Sequence, residues 1–277
     1  GNGAGVGGSG GGYLIWNVGG LLELNGLLTL QGTDGSGAHA GGGSGGSVYL
    51  TTTNMTGHGV IAVNGGDGIG RGGGGAGGRV SITCDLRYQY GGYFNNYGGS
   101  GTDIYTSSHA GASGTTYKEE NSRELEYRLK KFDKVLNTTI LAGDRTYLHT
   151  DNWGKYSPAP TLLQDPPRDY YEFYEMELTG SARLMVYHPN NVTEVTVKID
   201  YFVGDKTGQL HLKKNQTVFA EVIESVTNKS EAPCSFIIEY GAKIYLPAIF
   251  YMHGTNSTIA GMIIGVLELY IEKGAWV

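Results

Sequence analysis

Asp34 and Asp67 stand 33 residues apart in matching surroundings, Gly32-Thr33-Asp34-Gly35 and Gly65-Gly66-Asp67-Gly68. If successive turns of chain stack about 4.8 Å apart, two such carboxylates could share a hard cation, and Ca²⁺ is the natural choice. The competing chemistry is a turn, in which Asp bonds backbone nearby. Ser100 replaces Asp in the third copy, which favours the turn. No other cofactor is implied. His39-Ala40-Gly41 and His109-Ala110-Gly111 also match, with Arg71 between them, but neither histidine has a ligand-spaced Cys or carboxylate, so both read as exposed loop residues.

Tyr170, Tyr171, Phe173 and Tyr174 form an aromatic run. It could stack on a sugar or a protein partner, or fill an interior. Asn54, Asn137, Asn191, Asn215, Asn228 and Asn256 each begin an Asn-X-Ser/Thr sequon. Chance would place roughly two in a chain of this composition. The excess points to an N-glycosylated chain at the cell surface or outside the cell. Polysaccharide cleavage would need two facing carboxylates. There is no Asp-X-Asp, Asp-Asp or His-Glu-X-X-His, and Glu119-Glu120 lies in a charged run that solvation explains. The chain is therefore not expected to be an enzyme.

The totals narrow the partners. A formal charge of -6 argues against nucleic acid. The longest apolar stretch, Ile259 to Ile271, contains Glu268 and is too short to span a bilayer. Cys84 and Cys234 are the only cysteines. In a continuous stack they would lie on the order of 29 Å apart, far beyond disulfide reach; two separate buried thiols are expected.

These residues must be positioned by a repeat. Gly7-Gly8-Ser9-Gly10-Gly11-Gly12-Tyr13-Leu14-Ile15 returns as Gly42-Gly43-Ser44-Gly45-Gly46-Ser47-Val48-Tyr49-Leu50, as Gly74-Gly75-Ala76-Gly77-Gly78-Arg79-Val80-Ser81-Ile82, and more loosely from Gly111 to Tyr117, at steps of 35, 32 and 37 residues. A second motif, beginning at Gly26, Gly59 and Gly92, keeps a step of 33. Of 48 glycines, 38 fall in residues 1–120, while all seven prolines lie beyond residue 150, so composition divides the chain. Such regular spacing predicts ordered glycine arms, stacked as polyproline-II-like strands in which any side chain would clash. The strands between them should be short, none above about seven residues. Asn25-Gly26 reads as a corner between two sides of a coil rather than a hairpin turn.

Residues 118–135 are the most charged run and fit either a helical face or, preferably, a strand entering a crossing loop. A proline-rich loop or lid should follow at 150–169. From residue 178 strands recur at short intervals, and Gly241 to Leu246 resembles Gly265 to Leu269 at a step of 24. The organisation expected is thus 1–117 glycine-rich repeats, 118–177 charged and proline/tyrosine-rich segment, and 178–277 regular coils.

The run Gly-Gly-Gly-X-Gly-Gly-X-Val-X-Leu, followed by Gly59-Val60-Ile61-Ala62-Val63-Asn64-Gly65-Gly66, resembles the glycine-rich repeats of large extracellular proteins with pectin-lyase-like right-handed β-helices. The resemblance covers 1–117 well and the remainder only in strand rhythm. It implies an all-β, right-handed parallel β-helix (a β-solenoid) and a surface, matrix or adhesive role; fold alone does not settle function. The expectation is a structural extracellular glycoprotein segment, belonging to a longer protein, that self-associates end to end or continues into further coils. A glycan-binding or matrix-protein-binding adhesin is the alternative, and a polysaccharide lyase or hydrolase comes third.

Overall fold

The computed structural model describes residues 5–101, 110–121, 144–151, 161–163, 170–186, 194–225 and 230–271. They form an all-β protein, with no helix among the described residues. The first strands are β1 (Tyr13–Glu23), β2 (Leu27–Thr29), β3 (Ser47–Gly57), β4 (Val60–Ala62), β5 (Arg79–Tyr90), β6 (Tyr93–Asn95) and β7 (Thr115–Asn121). Next come β8 (Asp144–Asp151), β9 (Thr161–Leu163), β10 (Tyr170–Thr179), β11 (Arg183–Val186), β12 (Val195–Gly204), β13 (Gln209–Leu212) and β14 (Gln216–Ser225). The last are β15 (Ser235–Ile238), β16 (Lys243–Tyr245), β17 (Ile249–Met252), β18 (Thr258–Ile259), β19 (Met262–Ile264) and β20 (Glu268–Ile271).

One ten-stranded sheet, β1-β3-β5-β7-β8-β10-β12-β14-β16-β19, runs through both compositional halves. Opposite it lie β2-β4-β6 in the first half, and β9-β11-β13-β15-β18 with the pair β17-β20 in the second. From β1 to β7 and from β8 to β16 successive strands alternate between the ten-stranded sheet and a smaller one, so each circuit of chain adds a strand to each. Asn25-Gly26 is accordingly a corner: β1 pairs with β3 and β2 with β4, not with each other.

Inward positions repeat from coil to coil as columns. Val48 and Val80 face each other across β3 and β5, as do Leu50 and Ile82, and all four are buried. In the second half Val197, Val218 and Ile244 form such a column, and Phe236 contacts Phe202 and Phe250 at ring-centroid distances of 6.2 and 6.3 Å. Burial of these side chains contributes roughly 1.5–3 kcal/mol each. Cys84 and Cys234 are free and buried in separate core clusters. Burial pushes both thiols up, so they remain protonated and unreactive.

Strand register corrects several expectations. Tyr13 faces Ser47, Ser47 faces Arg79 and Arg79 faces Thr115, so the steps are 34, 32 and 36 residues. The glycine motifs differ in length and mislead by one residue at two steps. β1 and β3 reach 11 residues and β5 reaches 12, longer than expected, because register shifts at Val18/Leu21 and Thr52/Asn54 let them bend without ending. Ile244 faces Ile263, a step of 19, so the Gly241 and Gly265 stretches are not equivalent coil positions. Lys118 to Asn121 lies in strand β7, and Thr161–Leu163 of the expected proline loop is strand β9; residues 122–143, 152–160 and 164–169 lie outside the described residues. Leu148, Tyr171, Phe173 and Met176 join the second core, which therefore begins well before residue 178.

The glycine arms are ordered by backbone bonds that recur every three residues. Gly43 and Gly46 donate to Thr33 and Leu30, Gly75 and Gly78 to Gly66 and Val63, Gly111 and Gly114 to Gly99 and Asn96. Burial follows the same beat: Gly72, Gly75 and Gly78 are buried while Gly73, Ala76 and Arg79 are exposed. A β-strand would repeat every two residues; three is the period of polyproline II. The Ser or Ala of each of the first three motifs (Ser9, Ser44, Ala76) sits at an exposed position, and glycine fills the positions that face neighbouring backbone.

The two halves do not run as one continuous winding. All neighbours in the ten-stranded sheet are parallel except β7 and β8, which are antiparallel. The core also changes face there. Thr116, Lys118 and Glu120 continue the inward columns of Val80, Ile82 and Cys84, whereas Tyr117, on the other face of β7, stands opposite Leu148 and packs against the second core. Lys118 and Glu120 pair at 3.1 Å, and the Lys118 ammonium lies 4.3 Å from the Tyr88 ring centre. Charged residues thus close the first core at this end, as a terminal repeat requires.

Candidate functional site

Asp34 and Asp67 are brought into one column, but their carboxylates serve backbone. Asp34 Oδ1 accepts the Asp67 N–H at 2.7 Å, and Asp67 Oδ1 accepts the Ser100 N–H at 2.5 Å. The bond is to the next coil, not to the residue's own turn. Other side chains do the same: Asn25 Oδ1 accepts from His58 N at 3.1 Å, Asn64 Oδ1 from Tyr97 N at 2.9 Å, and His39 Nδ1 from Arg71 N at 3.1 Å. These coil-to-coil bonds offer a stacking explanation for both the Asp repeat and the His39/Arg71 coincidence; His109 lies outside the described residues. No group of three or more His, Cys, Asp or Glu suited to a metal occurs among the described residues. Asp67→Ala removes one acceptor at an exposed site and is expected to lower stability by about 1 kcal/mol. Thermal unfolding with and without Ca²⁺ tests this: wild type and variant should each be insensitive to the ion.

The aromatic run is divided by strand alternation. Tyr171 and Phe173 point into the second core, with ring centres 6.4 Å apart, while Tyr170 and Tyr174 point outward. The four do not make a continuous exposed strip. Tyr170 Oη donates to Glu172 at 3.3 Å, and Tyr174 leans on Tyr201 at 5.1 Å. Glu172 also pairs with Lys198 at 2.8 Å; that bond holds the Glu172 carboxyl below the usual range. On the same outer face Phe219 and Tyr245 stack at 4.3 Å and 16°, so their facing surfaces are occupied by each other.

Three sequons can be placed. Asn256 is exposed just before β18, with its N–H bonded to Ser235 Oγ at 3.0 Å. Asn215 occupies a turn with φ of 65° and is half-buried. Asn54 lies within β3 beside the register shift and is half-buried. Asn137, Asn191 and Asn228 lie outside the described residues.

Sequence reasoning missed a buried polar column at one corner of the second half. The Glu231 side chain is 4% exposed and pairs with Lys206 Nζ at 2.7 Å. Ser225 Oγ donates to its other oxygen at 2.6 Å, and His253 Nδ1 lies 3.5 Å from the first. Lys206, Glu231 and His253 follow β12, precede β15 and follow β17 respectively, at steps of 25 and 22 residues. That coil-length recurrence was the available signal. The arrangement surrounds one carboxylate with a cation, a hydroxyl and an imidazole, which suits clamping coils together. It is not the facing carboxylate pair of glycoside hydrolysis.

The remaining candidate is a pair of exposed apolar patches, one on β1 and one on β20. Trp16 heads the column of Leu50 and Ile82 yet is 40% exposed, against 1% and 0% for those two. At the other end Leu269 and Ile271 are 44% and 54% exposed beside fully buried Phe250 and Met252. Core columns therefore open onto solvent at β1 and at β20.

No protein-family model, curated protein or solved structure matches the chain.

Proposed function

We propose that this chain is a structural segment of an extracellular, N-glycosylated protein, a right-handed parallel β-helix whose glycine arms are polyproline-II-like and whose role is to be a stiff spacer or matrix element. One observation carries the reading: side chains able to do chemistry are spent on holding coil to coil. Asp34, Asp67, Asn25, Asn64 and His39 each accept a backbone N–H from the next coil. The three-residue beat of the arms supports polyproline II, and the mutually stacked aromatic rings favour a structural use over a sugar platform. No described helix is long and apolar enough to cross a membrane.

The open core columns support end-to-end association. Strand edges backed by exposed apolar side chains are templates for another β-layer, from a second copy or from further coils of the same chain. Because strand sense reverses at β7–β8, β19 of one copy stacked on β1 of the next would pair antiparallel. A coil continuing the same winding would pair parallel.

Two experiments test the proposal. Secretion from a eukaryotic host followed by glycosidase digestion and peptide mass mapping should find Asn256 occupied; six unmodified sequons would overturn the secreted reading. Cryo-electron microscopy at micromolar concentration should show rods joined at their ends. A monodisperse monomer would remove self-association from the proposal.

A further inference from the structure

Tyr251 on β17 and Tyr270 on β20 face each other in register, on adjacent strands. Their rings stack with centres 4.6 Å apart and an angle of 12°. Tyr270 is exposed and Tyr251 half-buried, so a small oxidant or a radical carrier can reach the pair. The Tyr270 hydroxyl donates to Glu268 Oε2 at 2.7 Å. We propose that Tyr251 and Tyr270 are a modification site, a stacked pair that a one-electron oxidant of the peroxidase and hydrogen peroxide class couples into a dityrosine cross-link.

The chemistry balances. Each phenol gives up one electron and one proton and becomes a phenoxyl radical. The Tyr270 proton passes to the Glu268 carboxylate and on to water; the Tyr251 proton passes to water directly. Spin density on the ring carbon beside each oxygen lets the two Cε atoms bond. Each ring then moves its displaced hydrogen to oxygen and regains aromaticity. The protein loses two hydrogens, and one peroxide takes up the two electrons and two protons to become two waters. The stack keeps the radicals together, so coupling within the molecule outruns encounters between molecules. Exposed side chains on a sheet surface have the rotational freedom to tilt from stacked to edge-joined.

The chain carries its own control. Phe219 and Tyr245 stack at least as closely, 4.3 Å and 16°, but only one of them is a phenol. Geometry alone therefore does not suffice there, and Phe219→Tyr should create a second coupling site.

The test is treatment of the intact chain with horseradish peroxidase and limiting hydrogen peroxide, read by intact mass, dityrosine fluorescence and peptide mapping. The expected product is monomeric, lighter by two hydrogens, and joins the peptides carrying Tyr251 and Tyr270. Tyr270→Phe abolishes it, and Phe219→Tyr adds a second loss of two hydrogens. Glu268→Gln slows coupling several-fold near neutrality, with the rate recovered above about pH 10, where phenols ionise without help. Cross-links only between molecules, or a monomeric product whose mapped link joins other tyrosines, such as Tyr174 and Tyr201, and not Tyr251 and Tyr270, would overturn the site. Equal rates for Glu268→Gln and the parent at every pH would remove Glu268 as proton acceptor. The outcome does not depend on the matrix role, since coupling is read on the isolated chain.

Discussion

Gly45→Ala should destabilise the first half by about 3 kcal/mol or more. A β-carbon there would lie 1.8 Å from the Val63 carbonyl oxygen and 2.6 Å from the Gly78 nitrogen. Those two atoms bond each other at 2.7 Å, so the methyl group would enter an existing hydrogen bond between two arms. Backbone held on both sides by coils in register cannot withdraw as a flexible side chain would. The same change at Gly19 meets nothing within 4 Å and is expected to leave stability within about 0.5 kcal/mol. Calorimetry of both variants decides the matter. Equal effects would mean that the arms are loose and that glycine serves some purpose other than close approach.

Lys206→Met should be nearly as damaging, at about 3–5 kcal/mol. It takes the lysine cation away from the Glu231 carboxylate, which is 4% exposed and keeps the Ser225 hydroxyl and a half-exposed His253 beside it. The damage comes from burying a carboxylate without its lysine cation more than from the lost bond. Lys206→Met combined with Glu231→Gln should therefore recover more than half of it, because the amide oxygen can still accept from Ser225. Urea titrations of the two single variants and the double complete the cycle. A double variant as unstable as the sum of the singles would show that the column matters for packing rather than for charge.

Much of the first half was legible because glycine records close approach directly. Wherever backbone meets backbone, only glycine fits, so the arms announce themselves and their three-residue beat with them. The step between coils was legible to within a residue, because β-strand register and arm register advance together. Tyr171 and Phe173 illustrate a different lesson. Four aromatic residues within five positions look like a patch, yet a period of two sends Tyr171 and Phe173 to one face and Tyr170 and Tyr174 to the other. The Asp34/Asp67 repeat was visible, but its use was not: an Asp that bonds its own turn and an Asp that bonds the next coil have the same local sequence. For Glu231 the sequence offers only the coil-length spacing of Lys206, Glu231 and His253, which does not by itself say that stacking brings their side chains together. The reversal at β7–β8 had no signal either, since Thr115–Asn121 continues the strand pattern of its predecessors and residues 122–143 carry no repeat.

That reversal has a geometric consequence. Turning strand direction and core face over together is a half-rotation about the axis along which coils accumulate. A half-rotation leaves handedness untouched, so both halves wind with the same hand even though their strands oppose. It does change what each half shows to its surroundings. The outer face of the ten-stranded sheet belongs to one side of the molecule at Tyr49 and to the other at Phe219. The same sheet therefore faces solvent on both sides of the molecule, one stretch in each half, and neither stretch has to be reached around an edge.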